Sequence, residues 1–325
     1  MLNVRPYTPD DAPAVLALVN QARNLPFGRE QFLQADARRD PTGFFHRVVA
    51  DQDGSVVGVA TLELVPPPFG RPGWLSYSLI VDREHWGRGI ARALESFLAP
   101  VVAERATAGI DTEVRDTDPE SRAWAERRGL SLNAHRFESV LELSTFDPAP
   151  HRPALERAQD TGLRFVTMAD VPGEDGERRM YDFFVRSLGN DPTNPQGPPP
   201  SFEVFRDRVM ADPFMPPEGI VIAVDGERFV GVSVPVWLGE AREDLHTRFT
   251  GVNPEYQGRG LALALKLLTI EYAVRAGARR MRTSNDSRNE PILAVNRRLG
   301  YAPLPGVWRL ERKTERSVQQ PAPLS

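Results

Sequence analysis

The chain has 325 residues, 41% of them hydrophobic and 26% charged, with a net charge of −4 and no cysteine. That length suits two ordinary domains, the mild acidity gives no field to draw nucleic acid or anionic lipid, and the missing cysteine excludes disulfides, thiolate metal sites and a cysteine nucleophile. The five histidines include no helical pair for a metal, the opening "MLNVRPYTPDDAP" lacks the basic-then-apolar pattern of a signal peptide, and no membrane-length apolar run occurs. A cytoplasmic protein without a metal, a nucleic-acid partner or a membrane span is therefore expected.

In chain order, "VRPYTPDDAPAVLALV" predicts a strand, a turn and a helix of 3.6-residue period. "FFHRVVADQDGSVVGVATLELV" predicts a hairpin turning at Asp53-Gly54, since Asp-Gly between alternating apolar runs favours a tight turn. "LIVDREHWGRGIARALESFL" reads as strand, glycine turn and helix, and "AWAERRGL" as a last helical turn. The proline-bearing "STFDPAPHRPALERAQDTG" is a linker.

The plan then repeats. "LRFVTMADVPGEDGERRMYDFFV" gives strand, turn and helix again, and "GIVIAVDGERFVGVSVPVWL" gives a hairpin at Asp225-Gly226. "FTGVNPEYQGRGLALALKLL" and "NEPILAVNRRLGY" follow in the same order. Gly87 to Gly258 and Gly129 to Gly300 are both separated by 171 residues, so duplication is the simplest account. "NDPTNPQGPPPS" (190–201) has no counterpart in the first half and reads as an inserted extended loop. The expected division is 1–147, a linker 148–160, 161–315 and a frayed tail 316–325.

A glycine turn that opens a helix leaves the first backbone N–H groups unpartnered at the positive end of the helix dipole. Glycines let a ligand approach that backbone, which suits phosphate. The turn lacks the Gly-Lys-Ser/Thr of a P-loop and the three spaced glycines of a dinucleotide fingerprint.

Val252-Asn253-Pro254 followed by Gln257-Gly258-Arg259-Gly260-Leu261-Ala262 resembles motif A of the GNAT superfamily of acyl-CoA-dependent N-acyltransferases, and Asn289–Tyr301 resembles its motif B. The resemblance implies an α/β (α+β) fold of two tandem GNAT-like domains. Each is a mixed, mostly antiparallel sheet with a splayed parallel strand pair and flanking helices. It also implies that the amides from Gln257 to Ala262 hold the pyrophosphate of acetyl-CoA, that Gly251 and Val252 meet its pantetheine, and that Asn289 contacts the cofactor arm. The first-half equivalents are Val81, Gly87, Arg88, Gly89, Ile90 and Ala91.

The first half departs from the pattern at Trp86, Arg83 and Asp118, which stand for Gln257, Pro254 and Asn289, so the second half is expected to be catalytic. Where many members of the superfamily carry a tyrosine acid, the chain has Asn296 and, in the first half, Ala125. Asparagine does not titrate, but it can hydrogen-bond the cofactor sulfur or a water. Glu240, Glu243, Asp244 and His246 are candidate bases, with His246 best by intrinsic pKa. Tyr256 and Tyr301 are candidate acids, although Tyr301 also reads as core. The expected function is acetyl transfer to a primary amine of a small molecule in a ternary complex, by a monomer or homodimer. A CoA-binding module without turnover is the rival reading.

Overall fold

The first compact unit opens with β1 (Leu2–Pro6), helices α1 (Ala12–Gln21) and α2 (Arg29–Ala37), and the hairpin of β2 (Phe44–Gln52) and β3 (Ser55–Leu64). Strand β4 (Trp74–Val81), helix α3 (Ile90–Arg105), β5 (Gly109–Arg115) and α4 (Pro119–Glu126) complete its run of chain. These come from a computed structural model that describes residues 1–23, 28–37, 39, 42–65, 70–106, 108–188, 198–239 and 241–314. Residues 190–197 of the inserted proline stretch, Glu240 and the tail 316–325 lie outside the described residues.

The next strand, β6 (Ser131–Glu142), leads into the second unit, which holds α5 (Arg152–Gln159), β7 (Arg164–Thr167), α6 (Glu174–Leu188) and the short α7 (Phe202–Phe205). Then come β8 (Val221–Asp225), β9 (Arg228–Leu238), β10 (Asp244–Val252), α8 (Leu261–Arg275), β11 (Arg280–Asp286), α9 (Glu290–Arg298) and the two-residue β12 (Ala302–Pro303). The last strand, β13 (Val307–Lys313), belongs to the first unit.

Both hairpins turn where expected. Gly54 and Gly226 take φ of 86° and 58°, left-handed values that glycine adopts without steric cost. In the first unit the strands run in the order β1-β2-β3-β4-β5-β13, antiparallel except for β4 with β5. In the second the order is β6-β11-β10-β9-β8-β7, antiparallel except for β10 with β11, and β12 pairs with β6. Each unit is thus a mixed, mostly antiparallel sheet with one parallel pair and flanking helices.

The units cross the sequence division at 1–147 and 161–315 by one strand each. Strand β6 ends the first half of the sequence yet pairs with β11, from Asp286↔Arg136 to Arg280↔Glu142. Strand β13 ends the second half yet pairs with β5, from Val307↔Arg115 to Lys313↔Gly109. The alternation of a strand fixes which face is buried but not which of two homologous neighbours it joins.

Both parallel pairs come apart. The β4–β5 register ends at Ser76↔Asp111, although β4 runs on to Val81. The β10–β11 register ends at Thr247↔Thr283, and from Phe249 to Val252 β10 is paired only with β9. A register shift between Thr247 and Phe249 bends β10 at that point.

Helices α3 and α8 lie against the sheets at these openings. Ile90, Leu94 and Leu98 of α3 are buried in the first core, each burial contributing roughly 1.5–3 kcal/mol. Glycines in the sheet allow the close packing: a Cβ on Gly58 would sit 3.1 Å from Ile90 and 3.2 Å from Leu94, and one on Gly231 would sit 2.9 Å from Leu265. Helix α8 is buried on two sides, Leu263, Ile270 and Ala273 facing one cluster and Leu261, Ala264 and Leu265 another.

Candidate functional site

The chain leaves β10 at Val252, makes one 3₁₀ turn (Pro254–Tyr256) and enters α8 through Gly258 and Gly260. These glycines have φ of 75° and 79°, values that cost other residues roughly 1–2 kcal/mol, and a Cβ on either would meet nothing within 4 Å. The turn is braced from below. Asn253, 2% exposed, donates its amide to Val230 and its side chain to the Phe229 carbonyl. The Gln257 side chain donates to the Val252 carbonyl at 3.2 Å.

Among the described residues no hydrogen bond engages the amides of Gly258, Arg259, Gly260, Leu261 or Ala262. They stand at the start of a 15-residue helix, where unpaired N–H groups and the dipole favour an anion. Gln257 departs from the expectation that its amide serves the ligand, since that N–H is already donated to the Pro254 carbonyl at 3.2 Å. It is a brace of the turn. The Arg259 guanidinium folds back to the Glu255 carbonyl at 3.0 Å and over the Tyr256 ring. Leu261 is buried and anchors the helix, and Gly251 lies under the Phe249 ring, where a Cβ would come within 2.5 Å.

Asn289 is the N-cap residue of α9, but its side chain makes no capping bond. Its side-chain amide makes no hydrogen bond among the described residues.

The candidate acids and bases sit in less favourable states. Asp244 is held by Arg280 and Arg282, each at 2.7 Å. Burial opposes its ionisation, yet the two guanidinium hydrogen bonds outweigh that and lower its pKa. A carboxylate so pinned and acidified is a structural anion rather than a base. His246 is pushed down to about 4, first by burial and then by Lys266, Arg282 and Arg248, so its ring is neutral at pH 7 and a weak base. Its Nδ1 is buried without a partner, and Nε2 lies 3.4 Å from the Ser284 hydroxyl. Glu243 is half-exposed and paired with Arg279.

Tyr256 donates to Asp225 at 2.6 Å, and that bond raises its pKa. Asn296, 3% exposed, donates to the Asn285 side chain at 2.7 Å, while its own oxygen is buried without a partner. Asn285 in turn donates to Ser139 and to the Phe137 and Thr283 carbonyls. In the second unit the amides of the glycine turn and the side chain of Asn289 make no hydrogen bond among the described residues, whereas the Val252 carbonyl, Asp244, Tyr256 and Asn296 are engaged.

The first unit repeats the turn closely. Gly87 and Gly89 have φ of 77° and 82°, and the amides from Gly87 to Ala91 have no hydrogen-bond partner among the described residues. Arg88 is exposed and Ile90 buried at the helix start, as at Arg259 and Leu261. Trp86, which stands for Gln257, donates its indole N–H to the Val81 carbonyl at 2.8 Å, the same brace from a different side chain. The open end differs. Asp118 caps α4, accepting from the Ser121 amide and hydroxyl, and lies 3.6 Å from Arg83. The two positions that are Pro254 and Asn289 in the second unit are here joined by an ion pair.

Sequence reasoning missed one residue, Lys266 on α8. It is 1% exposed, its Nζ has no hydrogen-bond partner among the described residues, and it lies 5.0 Å from the centre of the Tyr301 ring. Burial pulls its pKa down to about 7. The available signal was a lone charge inside "LALALKLL", which otherwise reads as a solvent-facing position.

Two copies of a splayed strand pair feeding a glycine-opened helix define a tandem acetyltransferase fold. The chain belongs to the GNAT acetyltransferases: the family model described as "Acetyltransferase (GNAT) family" matches residues 14–130 and 178–301. It is similar to the mycothiol acetyltransferase of Clavibacter sepedonicus, with 25% identity over 298 residues, 90% of this chain and 89% of that protein. Its fold is similar to that of a GCN5-related N-acetyltransferase from Sphaerobacter thermophilus (TM-score 0.73, 21% identity, 96% of this chain and 95% of that one). It is also similar to that of a tandem GNAT protein from the clavulanic acid biosynthesis pathway (TM-score 0.69, 20% identity, 98% and 100%). No helix among the described residues is long and apolar enough to cross a membrane, and no cluster of three or more His, Asp or Glu among them has the makings of a metal site.

Proposed function

We propose that the protein transfers an acetyl group from acetyl-CoA to a primary amine of a small molecule, and that the second unit does the chemistry. The observation that carries this reading is the run of unpartnered amides from Gly258 to Ala262 at an open glycine turn, beside a strand pair that separates at Thr247. The site fits the co-substrate. The amides and helix dipole suit a pyrophosphate, the side of β10 left by β11 from Phe249 to Val252 suits an extended amide-bearing arm, and the side chain of Asn289, which makes no capping bond, is the donor assigned to that arm in this reading.

Acetyl-CoA supplies an activated thioester, so the protein's own task is modest. It holds the thioester carbonyl against a fixed N–H, keeps the acceptor amine neutral, and lets the thiolate leave protonated. With no cysteine in the chain, the transfer does not pass through a thiol-linked acyl enzyme. The likeness to mycothiol acetyltransferases over nine-tenths of the chain supports a small-molecule amine as acceptor.

A second reading is a CoA-binding module without turnover. It is favoured by Asn296, which occupies the position where a tyrosine acid is common and is engaged by Asn285. Thiol release from acetyl-CoA, measured over a panel of amines that includes the acceptor of mycothiol acetyltransferases, separates the two. Amine-dependent release with saturation in both substrates is expected. Tight binding of acetyl-CoA with no amine-dependent release would leave the binding module standing alone.

A further inference from the structure

The sheet of the second unit has two unlike faces where β10 and β11 part. On one, Leu245, Met281 and Leu141 pack into the cluster that holds Leu263 and Ile270 of α8, and Asn285 accepts from Asn296 of α9. Alternation along the three strands therefore turns His246, Ser284 and Glu138 to the other face. Thr283 is the last residue of β11 that pairs with β10, so Ser284 is the first past the opening. It is exposed. An acceptor that comes to the thioester from the face without α8 and α9 meets these side chains first.

The three side chains make one row across the strands. The Ser284 hydroxyl lies 3.4 Å from His246 Nε2 on β10. On its other side Glu138 of β6 stands opposite Ser284 in the antiparallel register, which sets their Cβ atoms about 5 Å apart. One Glu138 oxygen accepts from Arg282 at 3.2 Å. The other makes no hydrogen bond among the described residues, and the side chain is 30% exposed.

The row is polar but carries no unbalanced charge. Arg282 is shared between Asp244 at 2.7 Å and Glu138 at 3.2 Å, and Arg280 takes the other Asp244 oxygen, so two guanidiniums face two carboxylates. Arg248, the residue that the bulge adds to β10, is paired with Asp212 at 3.1 Å. A second ammonium on the acceptor would find no spare negative charge in this row. A hydroxyl would find an open carboxylate oxygen, and an amine beside it would find the Ser284 hydroxyl.

The first unit keeps the row and closes it. The residue 171 positions before Ser284 is Glu113, with Arg309 opposite in register. Arg309 donates to the buried Asp111 at 2.8 Å. Ser76, which pairs with Asp111 as His246 pairs with Arg282, donates its hydroxyl to the same carboxylate at 3.0 Å. An acid among arginines stands where the second unit has an arginine among acids, and the hydroxyl is given to the protein. In the second unit a hydroxyl and a carboxylate oxygen face solvent at that step.

We propose that Ser284 and Glu138 form the acceptor subsite of the second unit, and that it takes a primary amine with a hydroxyl on the neighbouring carbon, as in an amino alcohol or an amino sugar. The inference rests on the acetyl-transfer reading given above. The amine lies at the opening beside the Ser284 hydroxyl, and the acceptor's own hydroxyl donates to the free Glu138 oxygen one strand further on. Adjacent strands are about 4.8 Å apart, which suits an amine and a hydroxyl on neighbouring carbons, each reaching its own partner. Both residues select and orient the acceptor, and neither exchanges a proton with it.

The test gives the full chain two matched amines, trans-2-aminocyclohexanol and cyclohexylamine, together with 1,4-diaminobutane, each rate being corrected for the fraction of neutral amine. Wild type should prefer the amino alcohol to cyclohexylamine by at least about tenfold in kcat/KM, because a site built to bond a hydroxyl rejects the analogue that lacks it. Glu138→Ala should cut that preference about tenfold, through the KM of the amino alcohol, and keep the KM for acetyl-CoA within about twofold. Glu138→Gln retains an acceptor oxygen and should hold the preference within about threefold of wild type. Ser284→Ala should raise the KM of both amines about threefold. A Glu138→Ala protein in which both amines change alike overturns the subsite, since Glu138 would then serve only Arg282. So does a wild type that favours 1,4-diaminobutane, a result that needs no variant to fold. Transfer to both cyclic amines without distinction overturns the subsite and leaves the transferase reading intact. A wild type that binds acetyl-CoA but releases no thiol to any amine overturns the transferase reading itself, and the subsite with it.

Discussion

Trp86 and Gln257 stand at the same step of two copies of one turn, and each reaches back to the carbonyl that ends the preceding strand, at 2.8 and 3.2 Å. The glycines that follow have φ values within a few degrees of one another, and both helices begin with free amides. Judged by backbone alone, the units are equally equipped for an anion. They differ at the far side of the opening. In the second unit Asn289 leaves its side chain uncommitted, whereas in the first Asp118 is consumed by the α4 cap and by Arg83. The geometry of the cradle comes from the backbone and survives exchange of side chains. The side chains at the far side of the opening are what the two copies do not share.

Gly258→Asp and Gly87→Asp put the strongest strain on that contrast. Both substitutions place a carboxylate before the helix amides, and both force an L-residue to φ near 75°, so their folding costs should match at about 1–2 kcal/mol each. Turnover should fall at least 1,000-fold for Gly258→Asp, through electrostatic rejection of a pyrophosphate, and by less than threefold for Gly87→Asp. Steady-state kinetics beside thermal unfolding checks this. Equal loss in both variants would mean that both cradles are used, and loss from Gly87→Asp alone would reverse the assignment of the active unit.

The next exchange moves the rim residues. Asn289→Asp converts the second unit to the first unit's rim, removes a donor and adds a negative charge, and should raise the KM for acetyl-CoA about tenfold with a smaller effect on kcat. In the other direction, Arg83→Pro with Asp118→Asn removes a 3.6 Å ion pair whose arginine is exposed, worth at most about 1 kcal/mol, and asparagine can still cap α4, so the fold should tolerate it. If the closed rim is what distinguishes the units, calorimetric titration should show one acetyl-CoA per wild-type chain and a second, weaker site in the double variant. A wild-type stoichiometry of two would show that the Arg83–Asp118 pair does not close the first cradle.

The sequence announced both glycine turns residue by residue, because a turn at a strand–helix junction is a local device whose geometry lies in consecutive residues. Both hairpins were legible for the same reason. What depends on distant partners was not. The exchange of β6 and β13 was hidden because homologous strands carry the same alternation. Gly58 and Gly231 gave no sign that Leu94 and Leu265 would press against them. Asp244 looked like a candidate base until Arg280 and Arg282, 36 and 38 residues away, closed on it. Lys266 was invisible as a buried group because a single charge in a helix ordinarily finds water, and only the packing of α8 on two sides denies it that. Trp86 was misread in the other direction. It looked like the loss of a motif residue, and it is a replacement for one.

The smallest effect is expected at that residue, and it isolates the brace from the rim. Trp86→Gln installs the second unit's side chain at the same step and keeps a donor for the Val81 carbonyl, so stability should change by no more than about 0.5 kcal/mol, as for ordinary surface substitutions. Trp86→Leu keeps an apolar body but removes the donor, and should cost about 1 kcal/mol, the net worth of one hydrogen bond. Neither change should alter turnover if the second unit does the chemistry. Chemical denaturation of the three proteins, with midpoints compared at constant slope, gives the two differences directly. If Trp86→Gln were as costly as Trp86→Leu, the indole would be acting through its half-exposed ring, stacked near the Arg83 guanidinium, and the equivalence of the two braces would fail. If instead Trp86→Gln folded as well as wild type and the Arg83→Pro, Asp118→Asn background then bound acetyl-CoA more tightly with it, the first cradle would have been rebuilt from three side chains, with the backbone untouched.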